Sequence, residues 1–211
     1  IGDAWLAACS QKGRLYGIPT YKPIALTPML VYRQDIADEL QLDMSQLTSV
    51  FDVTQVLRKV KEARPDMTPL AAVNTGNIGI GLAIPDVDYL TDDYYSPKGV
   101  LMHDELTVVD YYASKEFEDI CNLARTWYNE GLVMKDAATT SSTAAELMSS
   151  GNYFAYIASY SYPEADTAAS LEAQTGGYDL GAKIIGSAFL DTSSINALSW
   201  MVASTSNVPE A

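Results

Sequence analysis

The sequence predicts a layered fold in which helices alternate with short apolar strands, of the α/β or α+β kind. Three observations carry this. Apolar residues recur at helical spacing in several capped segments, and between those segments lie β-branched and aromatic runs too short to be helices. The chain has 211 residues, 48% apolar and 19% charged, a globular composition able to bury about 70% of its unfolded surface without disulfides or metals. One large domain, or one domain with part of another, fits that length.

Taken in order, Gly13–Tyr32 is β-branched and aromatic but interrupted by Pro19, Pro23 and Pro28. Proline lacks a backbone donor, so an extended crossing segment or edge strand is expected there and not a central strand. A short helix is expected over Asp35–Leu42. Val53, Val56, Leu57 and Val60 mark the apolar stripe of the next helix, which Pro65 ends. From Pro69 to Val109, short strands and loops surround the Gly76–Gly81 segment, itself read as a flexible turn, and the stretch DVDYLTDDYYSPKG. Ser114 caps a helix whose apolar face is expected to carry Phe117, Ile120, Cys121, Ala124, Trp127 and Tyr128, with Gly131 as its stop. Thr143 and Glu146 have capping-box spacing for a short helix closed by Gly151. Tyr153–Ser159 is a strand, Pro163 opens a helix that runs to Gly176–Gly177, and strands near Leu180–Ile185 and Ile195–Ala203 finish the chain.

A net charge of −14 with no basic cluster excludes a nucleic-acid partner. The longest apolar runs, such as 154–158, fall far short of the roughly 20 residues of a membrane span. The chain opens at Ile1 without a charged leader or apolar signal core, so any targeting segment is expected outside it. Cys9 and Cys121 are able to pair, but two cysteines in a chain this long make no disulfide framework. Two free thiols are expected, with Cys121 on an apolar helix face.

Catalytic signatures are sparse. The glycine spacing at 76–81 does not suit a dinucleotide loop, no Walker loop or nucleophile elbow occurs, and His103 is the lone histidine, expected on a surface loop. Asp86, Asp88, Asp92 and Asp93 group hard oxygen ligands that suit Ca²⁺, but lack EF-hand spacing and read equally as a solvated acidic loop. Tyrosine is abundant, with 14 copies against 4 Phe. A tyrosine offers a flat apolar face and a hydroxyl together, which suits a sugar ring. Tyr160 and Tyr162 follow the strand at 153–159, where pockets of open sheets form.

Gly13-Arg14-Leu15-Tyr16-Gly17-Ile18-Pro19 and Leu30-Val31-Tyr32-Arg33-Gln34-Asp35-Ile36 resemble the "GKLYGIP … LVYRKDL" signature of the extracellular solute-binding proteins of ABC transporters, family 1. Gly151-Asn152-Tyr153-Phe154-Ala155-Tyr156-Ile157 is similar to that family's "GKAAM" strand, and residues 203–211, ASTSNVPEA, to its "SKNPEAA" motif. The four motifs keep the family's order across nearly the whole chain. The resemblance implies a type II periplasmic-binding-protein-like α/β fold of two lobes that close on a ligand by a hinge. It places residues 28–177 in the second lobe, residues 1–27 in a first-lobe stub and crossing segment, and residues 178–211 in a returning hinge strand and stub, with most of the first lobe expected before Ile1. The segments Gly13–Tyr21 and Ile184–Ala203 are then expected side by side.

By position within that resemblance, Tyr21, Lys22, Tyr160, Tyr162, Asn196 and Trp200 are the expected ligand-binding residues. Against this, Lys22 reads as a solvated hinge charge, Tyr21 as a ring on its neighbouring prolines, Asn196 as bonded to its own turn and Trp200 as first-lobe core. The implied function is the solute-binding component of an ABC importer for a sugar or oligosaccharide, without a chemical step, cofactor or metal. Its implied partners are a carbohydrate and permease subunits, at the cell surface through a lipid anchor outside this chain, or in the periplasm. The alternatives are a secreted glycan-active enzyme whose carboxylate pair does not stand out, and a protein-interaction domain.

Overall fold

The computed structural model of the protein describes residues 3–20, 23–74, 76–90, 98–103, 105–189 and 199–207. Helix α1 (Asp3–Ala8) precedes three two-residue strands, β1 (Ser10–Gln11), β2 (Arg14–Leu15) and β3 (Ile18–Pro19). The β1–β2 hairpin turns through Lys12 and Gly13, both at positive φ, the geometry that matches the twist of paired strands. Then come β4 (Thr27–Arg33), α2 (Gln34–Glu39), α3 (Val53–Ala63) and β5 (Thr68–Leu70). A 3-10 turn at Ile80–Ala83 leads to β6 (Val87–Asp88), β7 (Gly99–Met102) and β8 (Val109–Asp110), an antiparallel meander. Helices α4 (Lys115–Asn129) and α5 (Ala144–Ser149), strand β9 (Tyr153–Tyr160), helix α6 (Glu164–Glu172) and strands β10 (Leu180–Ile184) and β11 (Ser199–Trp200) complete the described chain.

The main sheet has the order β10-β4-β9-β5, antiparallel except for the parallel pair β5–β9. Both of its faces are covered. Leu30, Tyr32, Ala155 and Ile157 belong to a core shared with Val53, Leu57 and Val60 of α3 and with Ile120 and Trp127 of α4. Val31, Tyr156 and Leu180 belong to a second core with Ala144 and Met148 of α5 and Ala168 of α6. The buried Trp127 indole N–H donates to Thr54 Oγ1 at 2.9 Å, so the largest core side chain leaves no orphaned donor. At the far end of β4, Arg33 donates to both carboxylate oxygens of Asp35 at 2.8 and 2.6 Å and lies over the Tyr178 ring.

The helix ends follow the capping signals. Ser114 Oγ accepts from the Phe117 N–H at 3.1 Å, Thr143 and Glu146 form the reciprocal capping box, and Gly131 and Gly151 turn the chain at positive φ. Cys9 and Cys121 are both free thiols. Ile18–Pro19 pairs with Ser199–Trp200, and Leu26 bridges Phe189, so the two end segments run side by side as expected.

Three readings need correction. Thr27–Arg33 is a central strand despite Pro28, because the proline falls where a ladder ends. Its carbonyl accepts from the Ile185 N–H at 3.0 Å, and the return bond it cannot donate is where β10 stops; β10 itself is an edge strand of the main sheet. On α4, Cys121 and Tyr128 are exposed while Leu123 packs on the core. The buried stripe is set by Trp127, whose ring occupies the space under α3. Gly79 is no flexible turn: it sits at φ +81, and a Cβ there would lie 1.9 Å from the Ile157 carbonyl oxygen.

That close approach makes a sharp comparison. Gly79→Ala should cost at least about 3 kcal/mol, because backbone must move as well as strain. Gly13→Ala, at φ +74 with nothing within 4 Å, should cost about 1 kcal/mol. Urea unfolding of both variants measures the difference, and equal losses would contradict the close packing of Gly79 on β9.

The core tyrosines set an alkaline limit. Burial pushes the Tyr89 hydroxyl up to about 12, and burial, then Tyr160, raises that of Tyr156. The fold favours the protonated phenol, whereas an unfolded tyrosine ionises near 10.0. The stabilisation from Tyr89 is therefore fully present below pH 10 and is lost as pH rises from about 10 through about 12, at up to about 1.4 kcal/mol per pH unit, and that from Tyr156 likewise begins to be lost above pH 10. Tyr89→Phe should show a shallower decline of unfolding free energy over that range. An unchanged slope would contradict the assignment.

Candidate ligand-binding cleft

The start of β4 and the ends of β9 and β10 lie at one end of the main sheet, as their antiparallel registers require. Beyond β10, Gly186 passes so close to Pro28 and Ala83 that a Cβ would lie 3.1 and 3.2 Å from their atoms. This approach lets the chain run on to Phe189, whose backbone exchanges two hydrogen bonds with Leu26, at 2.9 and 2.8 Å. Both connections to the β3–β11 ladder leave from here.

Beside this pair opens a cleft of 620 Å³, within the size range of small-molecule sites. Ala25, Ile84, Tyr89 and Phe189 line its apolar part. The Tyr89 and Phe189 rings meet edge to face, 5.1 Å between centroids. Tyr111 stands behind, its hydroxyl donating to the Gly81 carbonyl at 3.0 Å, and burial holds that phenol protonated. The polar part comes from the meander and the chain after β10: Asp86, Asp88, Glu105 and Ser187. Asp86 has φ +56, a conformation that aspartate tolerates better than most residues. Leu106, at the lip, is 93% exposed. The site thus joins an apolar floor, in which Tyr89 is 1% and Phe189 7% exposed, to hydrogen-bond acceptors at its rim.

The expected binding residues are distributed differently. Tyr160 is the last residue of β9, paired with Thr27, and its hydroxyl meets that of Tyr156 at 2.8 Å. Tyr162 follows two residues later and is 53% exposed. Both flank the same end of the sheet without lining the cleft. Trp200 pairs with Ile18, is 76% exposed, and lines a separate depression of 890 Å³ with Cys9 and Tyr16. Tyr21, Lys22 and Asn196 lie outside the described residues. So do Asp92 and Asp93 of the acidic group, while Asp86 and Asp88 are exposed. Among the described residues no three histidine, cysteine or acidic side chains converge as a metal site. His103 is exposed and contacts Glu116 at 3.0 Å.

Tyr89 and Phe189 were not singled out by sequence. Tyr89 lies within the tyrosine-rich acidic stretch that drew attention, but nothing local distinguishes it from its neighbours. Phe189 carries no motif; its role arises only from the long-range bridge to Leu26.

No protein-family model matches the chain. A protein named carbohydrate ABC transporter substrate-binding protein, from Streptococcus pneumoniae serotype 4 (strain ATCC BAA-334 / TIGR4), is 25% identical over 146 residues, 66% of this chain and 28% of that protein. Among solved structures, the N-glycan transport solute binding protein from Streptococcus pneumoniae superposes with TM-score 0.77 at 20% identity, over 100% of this chain and 44% of that one. The same protein in complex with Man5GlcNAc superposes with TM-score 0.71 at 20% identity, again over 100% and 44%. The chain therefore spans less than half the length of either relative. In fold it is type II periplasmic-binding-protein-like, and in sequence as well as fold it resembles the carbohydrate solute-binding proteins of ABC transporters.

Proposed function

We propose that the chain forms one lobe of the solute-binding component of an ABC importer, which captures a sugar or oligosaccharide between two lobes and delivers it to membrane permease subunits. The observation that carries this reading is the cleft with an aromatic floor and carboxylate rim, set where both chain connections leave the sheet. A hinge at that point would close a partner lobe directly over it. In this reading the lobe is the body built on the main sheet, residues 28–177 together with β10. Residues 1–27 and those after β10 hold the crossing segments and stubs of the first lobe. The protein works outside the cytoplasmic membrane, lipid-anchored at the cell surface or in the periplasm; no helix among the described residues is long and apolar enough to cross a membrane.

The reading is of binding without turnover, supported by the likeness to a carbohydrate ABC transporter substrate-binding protein. Calorimetry on the product of the complete gene, against mannose- and N-acetylglucosamine-containing oligosaccharides, should show binding with the sugar recovered unchanged. Turnover abolished by one Asp or Glu substitution would replace this reading with the glycan-active enzyme. The absence of any glycan binding would overturn it.

Individual side chains extend the proposal. Tyr162, being exposed, extends the ligand surface beyond the cleft, so Tyr162→Ala should cost about 1–3 kcal/mol of binding. Its melting temperature should barely move, as for other exposed positions. Tyr160→Ala should lower both affinity and stability, because that hydroxyl also meets the buried Tyr156. Calorimetry and thermal unfolding on the same two variants check this, and unchanged affinity in both would remove the tyrosines from the site.

A further inference from the structure

The cleft's polar groups share one sign. Asp86 and Asp88 stand on one side of β6, and Glu105 follows β7. All three are exposed acids at the surface of the opening. No lysine, arginine or histidine is among the described residues that line it. The nearby His103 is engaged by Glu116 on α4 and is not among the lining residues. Sequence adds to the imbalance: between residues 84 and 106 the acids Asp86, Asp88, Asp92, Asp93, Asp104 and Glu105 face Lys98 and one histidine. The whole chain is at −14, so distant charge does not cancel the local field.

From this we infer that the cleft is charge-selective: it accepts oligosaccharides that carry no negative charge and rejects those bearing uronic or sialic acid groups. The inference rests on the sugar-binding reading and narrows its substrate class. A neutral sugar presents hydroxyl donors, which a carboxylate rim accepts strongly. A sugar carboxylate in the same place meets repulsion from three acids at short range, with apolar walls of Tyr89 and Phe189 that solvate it poorly. Repulsion of that kind reduces affinity by about tenfold or more at low ionic strength and fades in concentrated salt, where the screening length shrinks to about 3 Å.

The test uses matched pairs. The product of the complete gene is titrated with neutral oligosaccharides of mannose and N-acetylglucosamine and with the same compounds after oxidation of the terminal hydroxymethyl group to a carboxylate. At low salt the neutral member of each pair should bind at least tenfold tighter, and the ratio should fall toward one in 1 M salt. The combined variant D86N, D88N and E105Q keeps similar shapes and some hydrogen-bonding capacity while removing the charge, and should lower the ratio in the same way. Equal or tighter binding of the oxidised member overturns the charge inference and leaves the sugar-binding reading standing. So does a preference for the neutral member that survives both salt and the charge-removing variant, since shape would then explain it. No binding of either member overturns the sugar-binding reading, and the inference with it.

Discussion

The antiparallel pairing of Thr27–Arg33 with Tyr153–Tyr160 is the constraint on which the rest of the molecule depends. Leu30 faces Ile157 and Val31 faces Tyr156 across it, and those residues supply opposite faces to two separate cores. A slip of one residue would exchange the faces and expose both cores at once, so the register is strongly specified. Everything at the cleft end inherits this register. The start of β4 fixes Leu26, Leu26 holds Phe189, and Phe189 presents its ring to Tyr89. Gly79 ties the 3-10 turn at Ile80–Ala83 against β9 by backbone contact, and that turn supplies the Gly81 carbonyl to Tyr111. The cleft is therefore a product of strand pairing more than of any local motif.

This explains which parts were legible in the sequence. Helices α3, α4 and α5 announce themselves through caps and apolar spacing, because those signals act within a few residues. The alternation of short strands and helices conveyed the layered class for the same reason. The centrality of β4 was hidden: Pro28 argues against it locally, and only the place where β10 ends makes the proline harmless. The stripe on α4 was read slightly out of phase because Cys121 and Tyr128 are apolar enough to suit a core, while the space beneath α3 accommodates Trp127 and Leu123 instead. Motif resemblance supplied the fold class, which the structural relatives share. The floor of the cleft escaped it, since Tyr89 and Phe189 are brought together by a hydrogen-bonded bridge between residues far apart in sequence.

The chemistry of the cleft follows from the same arrangement. Its aromatic pair is buried and meets edge to face, whereas its acids lie on exposed turns and strand ends. In the proposed reading, such a division would place shape recognition at the floor and hydrogen bonding at the rim. Leu106 adds an apolar surface at the lip that nothing in the described chain covers, which suits a site completed by a ligand. In the proposed reading, the tyrosines flanking the end of β9 would add surface for a ligand longer than one sugar ring.

The central claim is that sugar is held at the end of the sheet where Leu26 and Phe189 meet. The most direct measurement is an amide chemical-shift map of the complete gene product, titrated with a neutral oligosaccharide that calorimetry has shown to bind. The account predicts that within this lobe the largest perturbations fall on Asp86–Tyr89, Glu105–Leu106 and Ser187–Phe189, with smaller ones at Tyr160 and Tyr162. Perturbations confined to the depression around Cys9, Tyr16 and Trp200, with the residues of the cleft unmoved, would contradict it.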